Sequence, residues 1–506
     1  MSFWIWCRCF TSATRKGFAH SVARALLGVA VFMAPVPRAL AQKVPTDIGI
    51  PGSPDGPVYP LKASANNRYL VDQNNTPFLM VGDSPQQLIT NLSQKEAAAF
   101  MANRRSYGIN TLWINLLCIC EEAKTFDGIV PFLVPGDIAT PNPAYFQRVD
   151  DMLRIAADDG MVVLLDPIET ISWLDILRKN GKSKAFQYGQ YLGNRYKDFP
   201  NIIWMHGNDF QSWRNAADDD LVQAVARGIR SMDANHIHTV ELNYTTSGSL
   251  EDESWAPLIE LNAAYTYFPT YAQVLTEYNR QNFKPVFVVE ANYEFENVGP
   301  DTDGGSTQNL RRQEYWAMLS GAAGQLYGSA HTWKLQKGWE ANLDTPGVIQ
   351  LSYMKNLFVS RNWHDLVPDQ THTVVTAGYD RFSCIVGKFV VDVGKGQGSL
   401  LSKAFGRIQK YSGIGSITSN TCATAARTSD GSLVMVYMPT IRAITLDMSK
   451  LTGTTTVRWY DPTSGEYADV KGSPFANEGS RQFVPPGSNK SGEGDWVLVL
   501  EARTPR

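Results

Sequence analysis

Several things are missing from this chain, and each absence narrows what it can be. The apolar run near the N-terminus covers only residues 25–34, well short of the roughly 20 residues a membrane helix needs. Dense basic runs are absent from the rest of the chain, which argues against a nucleic-acid partner. Cysteine is sparse: there are six, and two of them, Cys7 and Cys9, lie in the first few residues. Cys118 and Cys120 are too close in sequence for an easy mutual disulfide, and no histidine stands beside them at metal-ligand spacing. Cys384 and Cys422 can either pair, given an oxidising compartment, or remain as two buried thiols. No glycine-rich phosphate turn follows the first strand-like run, where Gly82-Asp83-Ser84-Pro85 stands instead. That absence disfavours a doubly wound nucleotide-binding sheet.

What is present begins with a targeting pattern. Arg8, Arg15, Lys16 and Arg24 precede or open the apolar run, Pro35 and Pro37 break it, and Ala39-Leu40-Ala41 puts small residues before Gln42. Residues 1–41 therefore read as a secretory signal peptide, and the protein is expected to be secreted or periplasmic. Cleavage there removes five basic and no acidic residues, leaving 41 basic against 49 acidic and a net charge of −8. Residues 42–66 carry Pro45, Pro51, Pro54, Pro57 and Pro60 among small residues, the composition of an extended linker.

From about residue 67 two periodicities alternate. Short apolar or β-branched runs ending in polar residues fall at 77–83, 109–117, 162–169, 202–209, 239–244, 261–268, 286–293 and 324–333. Amphipathic stretches separate most of them. The first, 93–107, opens with the capping box Ser93-Gln94-Lys95-Glu96; others fall near 143–159, 183–198, 217–233, 270–282, 307–321 and 347–360. Eight strands alternating with helices predict a (β/α)8 TIM barrel over residues 67–365. Beyond that the helical period disappears. Short strand-like runs at 373–377, 389–393, 433–437, 444–447, 455–460 and 496–501 are punctuated by Asp430-Gly431, Ser464-Gly465 and Pro485-Pro486-Gly487, which predicts an all-β sandwich over 366–506.

A barrel of this kind works at the C-terminal ends of its strands, so the informative residues are those that end each run. They are Asp83, Asn115, Asp166 with Glu169, His206-Gly207-Asn208-Asp209, Glu241 with Asn243, Tyr265 and Tyr267, Glu290 with Asn292, Tyr293 and Glu294, and finally His331 and Trp333. Hydrolysis of a glycosidic bond needs two carboxyl groups, one to protonate the leaving oxygen and one to attack the anomeric carbon or activate water. The fourth and seventh strands face each other across an eight-stranded barrel, which selects Asp209 and Glu290. Asn208 is placed to bind a sugar hydroxyl. Tyr265, Tyr267 or Tyr293 can hold the strand 7 carboxylate ionised while desolvation keeps Asp209 protonated. Trp333 offers a stacking floor for a sugar ring. His206 reads as a hydrogen-bonded residue of the mouth, because no second histidine lies at metal-ligand spacing. Glu294 rivals Glu290 but lies four residues further on.

Three segments carry a resemblance. Phe78-Leu79-Met80-Val81-Gly82-Asp83-Ser84, Trp204-Met205-His206-Gly207-Asn208-Asp209 and Glu290-Ala291-Asn292-Tyr293-Glu294 resemble the apiosidase-like glycoside hydrolases, over roughly residues 60–365. Bacterial members of that group act on plant cell-wall pectin and release apiose. The wider architecture resembles the clan A hydrolases, with the acid/base on strand 4 and the nucleophile on strand 7. The resemblance implies Asp209 in the first role and Glu290 in the second. Clan A barrels commonly carry Glu after Asn at the acid/base position; the apiosidase-like group carries Asp, as this chain does. The tail resembles the β-domain that often follows such barrels, through Trp459-Tyr460-Asp461-Pro462-Thr463-Ser464-Gly465. One departure bears on substrate: the first-strand motif of the family usually continues with Thr and a nearby Trp, and here it reads Asp83-Ser84-Pro85-Gln86.

The expectation is thus an exported, monomeric, retaining glycoside hydrolase with a carbohydrate substrate and no metal or organic cofactor. Asp209 and Glu290 are its catalytic pair, and Asp83, Asn115, Asp166, His206, Asn208, Tyr265, Tyr267, Tyr293 and Trp333 are its substrate-binding residues. Two rivals are a non-catalytic carbohydrate-binding barrel, and a hydrolase or lyase using Asp166 with Glu241.

Overall fold

The computed structural model describes residues 56–502, apart from 121, 244–245, 297, 300–301, 387, 390–410 and 413–414. The signal-peptide and most of the linker segment, and residues 390–393 of one expected strand, lie outside the described residues.

Eight parallel strands form the barrel wall: β1 (Met80–Asp83), β2 (Thr111–Asn115), β3 (Val162–Asp166), β4 (Ile202–Phe210), β5 (His238–Leu242), β6 (Asn262–Thr266), β7 (Val286–Glu290) and β8 (Gly324–Tyr327). They are bonded in the order β5-β4-β3-β2-β1-β8-β7-β6. Six fall inside an expected run, β4 extends one residue beyond its run to Phe210, and β5 begins one residue early at His238. Side chains alternate faces along a strand, and the cores follow that period. Met80, Trp113, Leu164, Ile203, Met205, Ala263, Phe287 and Val289 fill the barrel interior. Val81, Leu112, Ile114, Val163, Leu165 and Trp204 pack outward under the helices.

The wall closes indirectly between β5 and β6. A short strand, Thr246–Gly248, runs antiparallel to β6, and serine hydroxyls complete the seam. Ser247 Oγ donates to Leu242 O (2.8 Å) and Ser249 Oγ to Val240 O (2.6 Å), while Ala263 N donates to Ser249 Oγ (2.8 Å). These bonds satisfy backbone groups that an open edge would leave unpaired.

Seven helices surround the wall: α1 (Gln94–Ser106), α2 (Pro143–Asp158), α3 (Thr170–Tyr196), α4 (Ala216–Met232), α5 (Thr270–Tyr278), α6 (Thr307–Leu319) and α7 (Pro346–Val359). The capping box at Ser93 and Glu96 forms as its sequence indicates. Helix α3 starts 13 residues before the expected 183, at Thr170, and is interrupted by Gly181 at φ 74°. It crosses α4 closely: a Cβ on Gly189 would lie 2.2 Å from Val225 O, and one on Gly228 would lie 2.1 Å from Phe186 O. After β5, one-turn 3-10 segments at Ser249–Glu251 and Glu253–Trp255 stand where a helix would be. No helix among the described residues is long and apolar enough to cross a membrane.

The tail is all antiparallel β. A six-stranded sheet and a three-stranded sheet enclose a core that includes Val434, Val436, Met438, Ile444, Leu446, Trp459, Leu498 and Leu500. The central strand Leu433–Met438 is buried along its whole length. Its alternate residues Leu433, Met435 and Tyr437 join the barrel's outer core, and Tyr437 stacks on Tyr315 of α6 at 5.1 Å. A strand covered on both faces reads as a continuous apolar run, which is why it stood out in the sequence. The edge strands Leu366–Pro368 and Ser480–Phe483 did not. Cys384 and Cys422 form a disulfide, so pairing holds over the thiol alternative. Cys118 and Cys120 stand side by side, with Cα atoms 5.4 Å apart.

Candidate active site

The end of β4 departs from regular strand geometry. Its register with β5 runs His206 opposite Val240, then Phe210 opposite Leu242, so three residues face Glu241 alone. Those three, Gly207, Asn208 and Asp209, have φ of 108°, 69° and 55°. A left-handed run of this kind costs of order 1 kcal/mol or more per non-glycine residue and persists only where its surroundings impose it. Gly207 is required here, since a Cβ would lie 2.2 Å from Glu241 O. Asn208 is held on three sides. Asn115 Nδ2 donates to its Oδ1 (3.2 Å), Thr170 Oγ1 donates to its carbonyl (2.9 Å), and its own Nδ2 donates to Glu241 Oε2 (3.4 Å). Asp209 N donates to the same Oε2 (3.1 Å). The bulge carries the short Asp209 side chain forward into the mouth.

A second irregularity places the other acid. Between β6 and β7, Ala264 pairs with Val288 and the next residue, Tyr265, pairs with Glu290. The skipped Val289 remains in the barrel core, and Glu290 takes the next position at the mouth, level with Tyr265. Tyr267 O–H donates to Glu290 Oε1 (2.5 Å) and Tyr293 O–H donates to Oε2 (2.9 Å). Tyr265 O–H meets Asp209 Oδ1 at 2.7 Å and is also hydrogen-bonded to Glu290. One phenol oxygen therefore stands between the two carboxyls.

Electrostatically the mouth is one-sided. Among the described residues no lysine or arginine is bonded to Asp166, Glu169, Asp209, Glu241 or Glu290. Burial raises Asp209 to about 6, opposed by the bond from Tyr265. Burial, then the charge of Asp209, raises Glu290 to about 8, opposed by Tyr267, Tyr293 and Tyr265. Glu241 and Asp166 are fully buried and held well above the carboxylate range, first by burial and then by neighbouring acids. No three His, Cys, Asp or Glu among the described residues are arranged to hold a metal ion.

The expected residues fall into three groups. Asp209, Glu290, Asn208, Tyr265, Tyr267 and Tyr293 converge as anticipated, Asp209 with part of its surface open and Glu290 8% exposed. Asn115 and Asp166 face inward but lie beneath the floor, fully buried. Trp113 Nε1 donates to Asn115 Oδ1 (2.8 Å). Asp166 Oδ1 accepts from Ile168 N (3.1 Å). Both acids of the rival pair, Asp166 and Glu241, have no surface a sugar could reach. Trp333 is half-buried in the loop after β8, donating Nε1–H to Glu296 (2.9 Å) under Lys334.

Two expectations are corrected by strand parity. Asp83 follows inward-facing Gly82, so it points outward into a buried ion pair with Arg104 of α1 (2.5 Å). His206 follows inward-facing Met205 and also points outward, with Nε2 2.9 Å from His238 Nδ1. Burial lowers His206 to about 3, so it is a neutral residue of the outer wall rather than of the mouth. Glu294 is likewise removed from the site, accepting from Thr345 Oγ1 (2.6 Å) and Gly347 N (2.9 Å) at the start of α7. The sequence reading gave no role to Gln86, whose Nε2 donates to Tyr293 Oη (3.1 Å); its signal was a polar residue just after Pro85. Glu169, named there as a strand-end acid, caps α3 through Ile171 N and Ser172 N.

A parallel barrel with two facing acids at its C-terminal mouth defines the class: this is the TIM-barrel fold of glycoside hydrolases. It is similar to a glycoside hydrolase family 5 structure from Bacteroides vulgatus ATCC 8482, with TM-score 0.71 and 21% identity over 87% of this chain and 93% of that one. It is equally similar to a second solved glycoside hydrolase, with TM-score 0.71 and 21% identity over 88% and 97% of the two chains. At the family level, the model described as "Apiosidase-like, catalytic domain" matches residues 64–365, and the chain belongs to that family. A further model, described as "Putative collagen-binding domain of a collagenase", matches residues 415–501. No curated protein matches the chain.

Proposed function

We propose that this protein hydrolyses a glycosidic bond with retention of configuration, Asp209 acting as general acid/base and Glu290 as nucleophile. The observation that carries the reading is the pair itself: two carboxyls on β4 and β7, with no cation between them, linked through Tyr265. Their separation by one shared phenol suits direct attack, for which the carboxyls lie about 5–5.5 Å apart. The strand 4 position of the family gives the proton to Asp209. In that state Asp209 O–H donates to Tyr265 Oη, and Tyr265 turns its own hydrogen to Glu290. Glu290 so collects three phenolic hydrogens, the environment of an ionised nucleophile. The higher value for Glu290 arises partly from the charge of Asp209, and that repulsion vanishes once Asp209 holds the proton.

The reaction then follows. Asp209 protonates the leaving oxygen as Glu290 attacks, and Asp209 next takes a proton from the water that releases the sugar. Family membership makes apiose-bearing pectic glycans the first substrates to test, and the missing first-strand Trp keeps other sugars in the panel. The N-terminal pattern supports action outside the cytoplasm, and we divide the chain at about residue 365 into barrel and β-domain. The test is a panel of aryl glycosides and pectic fragments, with proton NMR of the first-formed anomer. Turnover with retained configuration supports the reading. Inverted product would make Glu290 a base for water, and no turnover of any glycoside would leave a binding barrel.

A further inference from the structure

Glu241 takes no chemical step in this mechanism, yet the working acid is built on it. It is the one β5 residue opposite the three-residue bulge of β4. Its main-chain oxygen packs where a side chain on residue 207 would stand. Its Oε2 accepts from Asp209 N (3.1 Å) and from Asn208 Nδ2 (3.4 Å), so one carboxyl oxygen gathers both halves of the left-handed turn. Its Oε1 is buried without a partner among the described residues.

The groups that act on Glu241 are acids: Glu290 from β7 and Asp209 from β4 raise it beyond the effect of burial, and only the bonds from Asp209 N and Asn208 lower it. The phenols Tyr265 and Tyr293 also feel its charge. An ionised carboxylate in this place would be an unpaired buried charge beside two others, which is costly enough that such groups take up a proton instead.

We propose that Glu241 is a positioning residue for the hydrolysis: its carboxyl clamps the Asn208-Asp209 turn from below and carries no charge while doing so. Neutrality matters as much as the clamp. With Asp209 holding its proton, a second negative charge here would drive a proton onto Glu290, and the nucleophile would be lost. The inference rests on Asp209 and Glu290 being the catalytic pair.

Three variants separate a neutral clamp from its alternatives. Glu241→Ala removes the acceptor beneath Asp209 N, and kcat is expected to fall roughly 100-fold, the scale of a small misplacement of a catalytic group. KM should change little and circular dichroism should stay native. Glu241→Gln keeps a neutral acceptor of the same shape and should restore most of that loss, with little change in the pH–rate profile. Glu241→Asp keeps the acid but withdraws it, and should resemble Ala. Infrared difference spectra at pH 7 between wild type and Glu241→Gln should show the loss of one protonated carboxyl band. The proposal is overturned if Glu241→Gln is as inactive as Glu290→Gln, if Glu241→Ala keeps its kcat, or if the infrared band lost is that of a carboxylate. Asp209→Asn and Glu290→Gln are run alongside. If those retain activity, the catalytic pair is wrong, and the infrared result, which needs no substrate, still judges the charge on Glu241.

Discussion

Two buried pairs of ionisable groups in this molecule look alike in composition and differ in sign. At the joint between barrel and β-domain, Arg311 of α6 meets Asp495 at 2.8 Å with side chains 1% and 0% exposed. Gln350 and Glu493 accept from two more of its N–H groups, and Asn489 Nδ2 donates to Asp495 (2.9 Å). Opposite charges in contact favour the ionised guanidinium, and Arg311 lies well above its usual value. At the mouth, Asp209 and Glu290 have the same sign and no cation bonded to either among the described residues, and the charge of Asp209 adds to the cost of ionising Glu290. The first arrangement resists change and suits a scaffold. The second costs stability, and the proposed hydrolysis is the use it would have. Burial of an acid is not enough to mark a site. Glu314 on α6 is buried and raised, with Oε2 unpartnered among the described residues, but the cation Arg311 opposes the shift and the acid that adds to it, Glu294, is tied to the start of α7.

The contrast predicts a crossover between activity and stability. Asp209→Asn and Glu290→Gln should each lower kcat by about 10³-fold or more, since each removes the group that transfers the proton or forms the bond. Their melting temperatures should hold or rise, because a like-charge contact is relieved. Near-normal turnover in either, with native circular dichroism, would break the comparison at the mouth.

Arg311→Met should do the reverse. It leaves Asp495 buried without its partner, at a cost of about 3–5 kcal/mol, read from urea denaturation, while the folded fraction keeps its kcat. A variant that melts like wild type would show that the joint draws its stability from the surrounding apolar contacts.

Tyr267→Phe sharpens the account within the mouth. A hydrogen bond to a charged group contributes about 1.5–3 kcal/mol, so kcat should fall roughly 10- to 100-fold. Losing a donor to the carboxylate raises its proton affinity, so the acid limb of the pH–rate profile should move to higher pH. An unshifted limb would mean that Tyr267 holds shape and not charge.

The smallest effect is on the pH dependence of stability. The Asp209–Glu290 pair is raised in the folded state, to about 6 and about 8 against unfolded values near 3.9 and 4.3. The stability from its bound protons is therefore complete below about pH 4 and is lost as pH rises through about 6 and then about 8. The melting temperature of Glu290→Gln relative to wild type should climb across that window. Arg311→Met should show no such trend.

Much of this was legible before any coordinates. Eight runs with period 2 and seven with period 3.6 defined the barrel, and the doubly buried strand Leu433–Met438 announced the β-domain. That Asp209, Glu290 and their tyrosines would lie together was read by asking what ends each strand. Asp83 and His206 show where that question was too coarse: a strand end has two faces, and only parity with Gly82 or Met205 says which one a side chain takes. The bulge at residues 207–209 was not legible either, because Asn and Asp in left-handed backbone look in sequence like any strand-to-loop turn. It answers how an Asp, one methylene shorter than Glu, meets a nucleophile across the barrel. The backbone comes forward, held by Glu241.

The most direct test of the central claim is to locate the covalent intermediate. A slow, activated 2-fluoro glycoside of whichever sugar the protein turns over, followed by intact-mass measurement and peptide mapping, reads which side chain bonds to the anomeric carbon. The account predicts one sugar per chain, on Glu290, and none on Glu290→Gln. A sugar found on Asp209, Asp166 or Glu241, or turnover of the fluoro sugar to inverted product with no adduct, would contradict it.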